Sequence, residues 1–522
     1  MTQLDARAWR APGYPAAPSS AARREARMHA DTPLLITFIA YLLLMLGIGV
    51  WAYRSTRTLD DYILGGRSLG SYVTALSAGA SDMSGWLLMG LPGALYLVGL
   101  SEAWIAIGLI VGAWCNWRFV AGPLRLYTER SNNALTLPDY FTHRFGDRQK
   151  LLRVFSALVI LLFFAIYCAS GVVAGARLFE SIFGLPYEQA LWWGAAVTVL
   201  YTFIGGFLAV SWTDMVQATL MIFALLLVPV VVVIGSGGIE HTLDLIEAVD
   251  PARLEWVGAG GTMAVVSALA WGLGYFGQPH ILARFMAAQG LHTIAPARRI
   301  GMTWMILCLV GSVGTGFFGI AYFAAHPEQA AAVAANPERV FIELAVVLFN
   351  PWVAGLLLSA ILAAIMSTLS AQLLVCSSAL TEDLYRGLIR PKAGHRELVW
   401  FGRAMVLGVA LLALWIARDR DSRVLGLVAY AWAGFGAAFG PVVILSLVWQ
   451  RITRNGALAG MIVGAIVVVA WKQSGSALYE MVPGFIAATL TIVVVSLLGR
   501  APAQDIQARH EQVRAALREN RY

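Results

Sequence analysis

The feature that most restricts the fold of this chain is a series of apolar runs along its 522 residues. A transmembrane helix needs about 20 mostly apolar residues, and runs near or above that length recur about thirteen times. Only 13% of the residues are charged, against about 25% in a soluble protein. The sequence therefore predicts an all-α polytopic membrane protein. The predicted spans cover residues 33–52, 71–99, 103–124, 153–181, 189–205, 214–236, 263–282, 300–324, 341–380, 401–417, 425–449, 456–472 and 481–499.

Basic residues are concentrated in alternate segments between these spans. They follow spans one, three, seven, nine and eleven, as with Arg54 and Arg57 after the first, and recur in the C-terminal tail; the basic segment 418–423 is the exception. Because cytoplasmic loops carry an excess of lysine and arginine, the C-terminus is predicted to be cytoplasmic and, with an odd number of spans, the N-terminus outside. The Arg-rich leader conflicts with that orientation. Residues 1–32 are therefore interpreted as a polar extension that is disordered or precedes a true start at Met28.

Two of the predicted spans are interrupted. Span two carries Asp82 near its middle, between Gly79 and Gly85, although a charge at the bilayer centre costs roughly 2.5–3.5 kcal/mol on insertion scales. Residues 271–279 of span seven contain three glycines and a proline. Irregular backbone at membrane depth persists only where it is buried in protein or lines a wet cavity. Paired broken helices in corresponding positions point to a transport site between them.

The two breaks lie five spans apart, which predicts a five-helix unit that is repeated once and inverted. The predicted divisions are 1–32 (polar extension), 33–70 (first span and cytoplasmic loop), 71–260 (first repeat), 261–450 (second repeat), 451–500 (two C-terminal spans) and 501–522 (cytoplasmic tail).

Oxygen groups near the first break favour a site for a hard cation. A broken helix can offer the carbonyl oxygens of Ala80 and Met83. In span nine, Ala364, Ser367 and Thr368 occupy positions i, i+3 and i+4, and therefore one helix face. The alternative is that both hydroxyls bond back to their own helix, and that the nearby carboxylate only ties the bundle together.

Aromatic residues near both breaks favour an organic substrate. Trp271 and Tyr275 lie beside the second break, Tyr167 lies within span four, and Trp86 follows the first break. A half-helix that begins near Ser84–Gly85 can receive a carboxylate through its backbone N–H groups. The alternative is an interfacial aromatic belt or simple core packing.

Three charged residues border predicted spans: Arg67, Asp214 and Glu382. Ordinary loop or helix-cap positions would explain all of them, while Asp214 is also suited to a second cation. The four cysteines lie in apolar runs without the spacing of a metal or redox site. Motifs for nucleotide binding, nucleophilic catalysis or metal catalysis are not recognised in the sequence, and neither is a basic nucleic-acid-binding patch. An ATP-driven pump, an enzyme and a nucleic-acid partner are therefore not expected.

The motifs around these positions resemble those of the sodium:solute symporter family, from about Met28 to about residue 500. They are typical of the branch of that family that carries proline. The matching stretches are residues 61–70, 75–86, 167–171, 205–214, 274–280 and 366–370.

This resemblance implies a LeuT-like core of inverted five-helix repeats in a bacterial inner membrane, which couples Na⁺ to uptake of L-proline by alternating access. The implied sodium-binding residues are Ala80, Asp82, Met83, Ala364, Ser367 and Thr368. The implied substrate-binding residues are Ser84, Gly85, Trp86, Tyr167, Trp271, Tyr275 and Pro279. Arg67 matches a functionally important arginine, and Asp214 matches an acid that holds a second Na⁺ in some members.

Residue 371 is alanine although Ser370 is present, so that second site is not expected here. Apart from proline, Na⁺ and the lipid bilayer, the resemblance implies no obligate partner. The alternatives are a symporter of another small organic acid such as pantothenate, a cation channel, and a sensor with a transporter-like domain.

Overall fold

The computed structural model describes residues 20–53 and 59–520, and within them the chain is helical without β-strands. Residues 1–19 of the predicted extension, Arg54 and Arg57 lie outside these ranges. The described part contains 21 α-helices: α1 (Ser20–Tyr53), α2 (Leu59–Leu64), α3 (Ser71–Asp82), α4 (Leu91–Val98), α5 (Ala103–Cys115), α6 (Ala121–Arg130), α7 (Leu137–Phe145), α8 (Leu151–Phe183), α9 (Tyr187–Gly235), α10 (Ile239–Val249), α11 (Gly261–Leu269), α12 (Pro279–Ala287), α13 (Leu291–Ala325), α14 (Ala331–Ala335), α15 (Val340–Leu348), α16 (Pro351–Ser378), α17 (His395–Ile416), α18 (Val424–Val448), α19 (Arg454–Gln473), α20 (Met481–Leu498) and α21 (Gln504–Glu519).

Shorter turns connect or extend these helices. The 3-10 turns are Gly65–Arg67, Leu100–Glu102, Pro251–Leu254, Ala270–Gly277, Pro327–Gln329 and Pro337–Arg339, and the π-helical turns are Trp86–Gly90, Asn116–Val120 and Ala379–Ile389.

Ten helices in the described residues are long and apolar enough to cross a membrane, so the predicted count of thirteen is not confirmed. Two of the three spans that are not among the ten are the interrupted spans two and seven, whose pieces are too short. The third, 189–205, is the first part of α9, which turns at Gly206 with φ 69° and ψ −172°. A positive φ of this kind suits glycine, because it has no Cβ.

Span two breaks between α3 and α4, as predicted. Met83 leaves the helical region with φ −82° and ψ 76°, and a π-helical turn, Trp86–Gly90, leads into α4. The hydroxyl of Ser84 accepts a 3.2 Å hydrogen bond from the backbone N–H of Trp86. This bond satisfies one of the N–H groups that the break leaves without a partner.

Span seven is interrupted in a different way. The helix α11 tightens into the 3-10 turn Ala270–Gly277, and Gln278 is extended with φ −81° and ψ 107°. Pro279 then starts α12, where its missing N–H and fixed φ suit a first helical position.

Span nine begins later than predicted. The apolar run 341–380 is longer than one span needs and is expected to carry an extension at Asn350–Pro351; α15 ends at Leu348 and α16 starts separately at Pro351. The side chain of Asn350 caps α16 by accepting bonds of 3.1 and 3.2 Å from the N–H groups of Trp352 and Val353. A π-helical turn extends the helix to Ile389.

The centre of the bundle is α16. In its most apolar window 89% of the residues are buried inside the protein, against 22% for α1. Small residues allow close approach at this centre: a Cβ built on Gly85 would lie 2.9 Å from the Cβ of Ala174 and 3.0 Å from Ile365 Cγ1. Small residues at helix interfaces are typical of membrane bundles, where packing replaces the hydrophobic effect.

The tail helix α21 packs against α6 and α7. The side chain of His510 lies 3.4 Å from both the hydroxyl of Tyr127 and a guanidinium nitrogen of Arg144. Arg509 donates to the carbonyl of His143 at 3.2 Å. We call this end of the bundle, with Arg67, α6, α7 and α21, the basic end.

Candidate transport site

The first break and α16 meet through oxygen atoms. Ser367 Oγ donates a 2.8 Å hydrogen bond to the carbonyl oxygen of Ala80, and Thr368 Oγ1 approaches the same oxygen at 3.3 Å. Ser367 Oγ also lies 3.1 Å from the carbonyl oxygen of Ala364. All of these residues, and Met83, are almost fully buried. The structure thus brings together four of the six predicted sodium-binding residues and places Met83 at the adjacent break.

Asp82 lies two residues after Ala80 in α3 and faces the second break. Its carboxylate accepts a hydrogen bond from the hydroxyl of Tyr275. Both residues line a cavity of about 220 Å³. The full lining is Asp82, Met83, Trp86, Leu109, Tyr167, Trp271, Tyr275, Val428 and Trp432. We call this space the aromatic cavity.

The walls of the aromatic cavity are fixed by ring contacts. Trp86 and Trp271, one from each broken helix, stack at 5.6 Å between centroids with 26° between their planes. Trp432 meets Tyr275 edge-on at 5.1 Å, and its indole N–H donates a 2.7 Å bond to the carbonyl of Trp271. Such geometries are favourable for aromatic pairs beyond the area that they bury. The cavity therefore presents apolar faces with one carboxylate.

Larger spaces adjoin the aromatic cavity on two sides. A vestibule of about 1000 Å³ shares Trp271 with it and is lined by Glu102, Glu338 and Arg423 among others. A cavity of about 320 Å³ shares Asp82 and Tyr275 with it and reaches Phe285 of α12. Trp271 is thus the boundary on one side, and the hydrogen-bonded pair Asp82–Tyr275 is the boundary on the other.

The remaining predicted substrate residues are separated. Ser84 and Gly85 are buried in the turn that precedes Trp86. Pro279 lines a different space of about 370 Å³, towards the basic end, together with Thr136 and Met286. The structure therefore does not place Pro279 on the aromatic cavity.

Asp214 is neither a loop residue nor a helix cap. It is fully buried within α9, and its carboxylate lies 3.3 Å from the guanidinium of Arg284 and accepts a 2.7 Å bond from Ser77 Oγ. The guanidinium also lies 5.2 Å from the ring centre of Phe207. This corrects the interpretation of Asp214 as an ordinary boundary charge, which failed because α9 already begins at Tyr187 and continues past Asp214. The ion pair connects α9 to both broken helices.

Arg67 joins separate segments at the basic end. Its guanidinium donates to the carbonyl oxygens of Met286 and Ala134, at 2.5 and 2.8 Å, and to the side chain of Asn133 at 2.7 Å. It therefore holds the end of α12 against the segment that follows α6. Glu382, by contrast, pairs with Arg386 one turn along its own helix at 3.1 Å.

Sequence reasoning missed several residues of the aromatic cavity. Trp432, Leu109 and Val428 lie in uninterrupted apolar helices, where nothing in the local pattern separates a cavity wall from lipid-facing or core surface. Asn116, whose side chain donates a 3.1 Å bond to the carbonyl of Tyr275, is a buried polar residue in span three. A polar side chain within an apolar span was the one feature of the sequence that could have indicated a residue near the site.

The chain is similar to several known proteins. The model of the sodium:solute symporter family matches residues 62–464. Curated sodium/proline symporters of Escherichia coli and Salmonella typhimurium are 65% and 66% identical, over 94% and 92% of this chain and 97% and 96% of theirs. A solved Na⁺-coupled sialic acid symporter in a substrate-bound outward-open state matches with a TM-score of 0.77 and 19% identity, over 90% of this chain and 99% of its own. That match shows a shared LeuT-like fold. The chain belongs to the sodium:solute symporter family.

Proposed function

We propose that this chain is a secondary active transporter that couples inward movement of Na⁺ to uptake of L-proline. The observation that carries the proposal is the meeting of Ser367 and Thr368 with the carbonyl of Ala80, on the broken helix that also lines the aromatic cavity. The curated relatives above 60% identity are sodium/proline symporters, and this supports proline over pantothenate as the substrate.

Na⁺ is held by the carbonyl oxygens of Ala80, Met83 and Ala364 and by the hydroxyls of Ser367 and Thr368. A hydroxyl has acceptor lone pairs as well as a proton, so each of the two can turn an oxygen towards a cation. Hard cations prefer such oxygen ligands, and the burial of all five residues supports a desolvated ion. A second Na⁺ at Asp214 is not part of the proposal, because Arg284 already balances that carboxylate.

L-proline occupies the aromatic cavity. Its apolar ring packs against Trp86, Trp271 and Tyr167, and its carboxylate is received at the half-helix that begins near Ser84–Gly85. The positive dipole end of a helix favours an anion there.

The coupling of Na⁺ to proline follows from the short distance, along one broken helix, between the proposed Na⁺ ligands and the residues that line the aromatic cavity. Na⁺ draws the break at Met83 towards α16 and fixes Asp82, one residue before Met83, and Trp86, three residues after it. Proline then binds a cavity that is already ordered, so the two ligands bind cooperatively. Per 100 mV, the membrane potential contributes about 2.3 kcal/mol for each Na⁺. One Na⁺ per cycle therefore sustains an inside-to-outside concentration ratio of proline on the order of tens.

The orientation and repeats belong to the same proposal. The basic end and the C-terminus face the cytoplasm of a bacterium, the vestibule opens outside, and the N-terminus lies outside. The inverted repeats comprise 71–260 and 261–450, each beginning with a broken helix.

The test is uptake of radiolabelled L-proline into proteoliposomes with and without an inward Na⁺ gradient. Sodium-dependent accumulation above the outside concentration, inhibited by unlabelled proline but not by pantothenate, is expected. Equilibration without accumulation would indicate a channel, and stronger competition by pantothenate would indicate another substrate.

A further inference from the structure

The connection between α19 and α20 reaches the aromatic cavity from outside the two proposed repeats. Tyr479, in this connection, stacks on Trp271 at 5.6 Å between ring centres with 20° between the planes. Trp271 also stacks on Trp86. The boundary residue between vestibule and aromatic cavity is therefore packed against two aromatic rings, of which one comes from a C-terminal hairpin.

Tyr479 is itself fixed at three points. Its hydroxyl donates a 2.7 Å hydrogen bond to the carbonyl oxygen of Ala429 in α18, and its backbone N–H donates a 3.1 Å bond to Ser267 Oγ in α11. The carbonyl of the preceding Leu478 accepts a 3.0 Å bond from the indole of Trp471. A ring that is anchored in this way can hold a neighbouring ring in position.

Trp271 must be held because it lines both spaces. It is the lining residue that the vestibule and the aromatic cavity share. Its carbonyl is fixed by Trp432, but its ring orientation depends on stacking.

We infer that Tyr479 is a positioning residue for the substrate site, which holds Trp271 over the aromatic cavity and so retains bound proline. This inference rests on the proposed function. The C-terminal hairpin thereby takes part in closing the outer side, in addition to the two repeats.

The first test compares Tyr479→Ala with Tyr479→Phe in proteoliposomes. Loss of one aromatic stack is expected to raise the KM for proline and the Kd in equilibrium binding about two- to tenfold. Phenylalanine keeps the stack and is expected to restore values within about twofold of wild type. At saturating proline, half-saturation by Na⁺ is expected to stay unchanged, because the proposed Na⁺ ligands lie on α3, at Met83 and on α16.

The matched control is Trp256→Ala. Trp256 forms an aromatic pair with Trp104 at 5.9 Å and is not among the residues that line the aromatic cavity, so its loss is expected to leave the KM unchanged. A wild-type KM in Tyr479→Ala overturns the inference. An equal defect in Tyr479→Phe also overturns it, because the hydroxyl bond and not the stack would then be responsible.

A second test does not depend on the substrate. Leu109→Cys is introduced into the aromatic cavity in a background without the four native cysteines, and its labelling by a membrane-impermeant maleimide is followed. Tyr479→Ala is expected to accelerate labelling severalfold and Trp256→Ala to leave it unchanged. Unchanged labelling in both overturns the inference, whereas failure of wild-type protein to accumulate proline would overturn only the proposed function.

Discussion

Ser367 Oγ and the carbonyl oxygen of Ala80 lie 2.8 Å apart, although 287 positions separate the two residues in the sequence. The bond joins a helix that is broken at membrane depth to the most enclosed long helix of the described bundle. Both atoms are oxygens suited to a hard cation. An ion between them would replace the hydrogen bond by two stronger contacts and hold the two helices together.

Removal of the hydroxyl of Thr368 is expected to weaken activation by Na⁺. A bond to a charged group is worth about 1.5–3 kcal/mol, so Thr368→Ala should raise the Na⁺ concentration for half-maximal proline uptake about ten- to hundredfold. Thr368→Ser keeps the hydroxyl and should retain most of the affinity. Ser359→Ala is the control, because this hydroxyl bonds to Gly355 of its own helix at 2.8 Å. Proline uptake by Thr368→Ala with unchanged sodium dependence would show that Thr368 is not a Na⁺ ligand.

Gly85 is expected to tolerate no larger residue. A Cβ there would approach Ala174 Cβ to 2.9 Å, and overpacking of a core typically costs about 1–3 kcal/mol. Gly85→Ala should therefore displace the start of the half-helix and raise the KM for proline. Ala174→Gly in the same chain should recover part of the loss. Gly171→Ala is the matched control, since its Cβ would meet Leu369 at an ordinary 3.6 Å.

The buried pair Asp214–Arg284 is expected to matter for stability. Removal of one partner leaves the other charge buried without balance, at a cost of about 3–5 kcal/mol. Asp214→Asn should lower the midpoint of thermal unfolding in detergent, and the neutral double variant Asp214→Asn/Arg284→Met should recover part of it. Arg390→Gln breaks an exposed pair with Glu397 and should change the midpoint little. Equal midpoints for Asp214→Asn and wild type would contradict the role of the pair.

Docking of the tail helix α21 is expected to depend on pH. Burial of the ring is the main cause that lowers the pKa of His510 to about 4, and the positive charges of Arg144 and Arg514 lower it further. The ordinary pKa of histidine is about 6.5. The docked tail therefore disfavours the protonated ring, while a released tail accepts the proton. Docking should be fully stable above about pH 6.5 and should weaken as the pH falls towards 4.

Spin labels at Arg148 and Arg518, both exposed, would report this change as a distance in electron–electron double resonance. Wild-type protein should show a longer, broader distribution at pH 5 than at pH 7.5. His510→Leu cannot take up the proton and should show the same distance at both values. An unchanged wild-type distance would count against the role of His510.

The sequence predicted the local features of the site well. The sequence located both interruptions from the glycines on both sides of Asp82 and from the three glycines that precede Pro279, because such residues weaken helices at any depth. The sequence was a poorer guide to residues whose burial depends on packing against other helices. Asp214 was assigned to a boundary because its run of apolar residues starts there, yet α9 already begins at Tyr187 and its charge is balanced by a residue 70 positions away.

The sequence by itself determined that the chain crosses a membrane many times, that two spans break, and which oxygens and rings lie at the breaks. Each of these depends on neighbouring residues along one helix. Only the tertiary structure decided that Ser367 meets Ala80, that Trp432 and Tyr479 contact Trp271, and that Pro279 lies elsewhere. The physical reason is that lipid and protein interior are equally apolar, so hydropathy records that a residue avoids water but not which helix lies beside it.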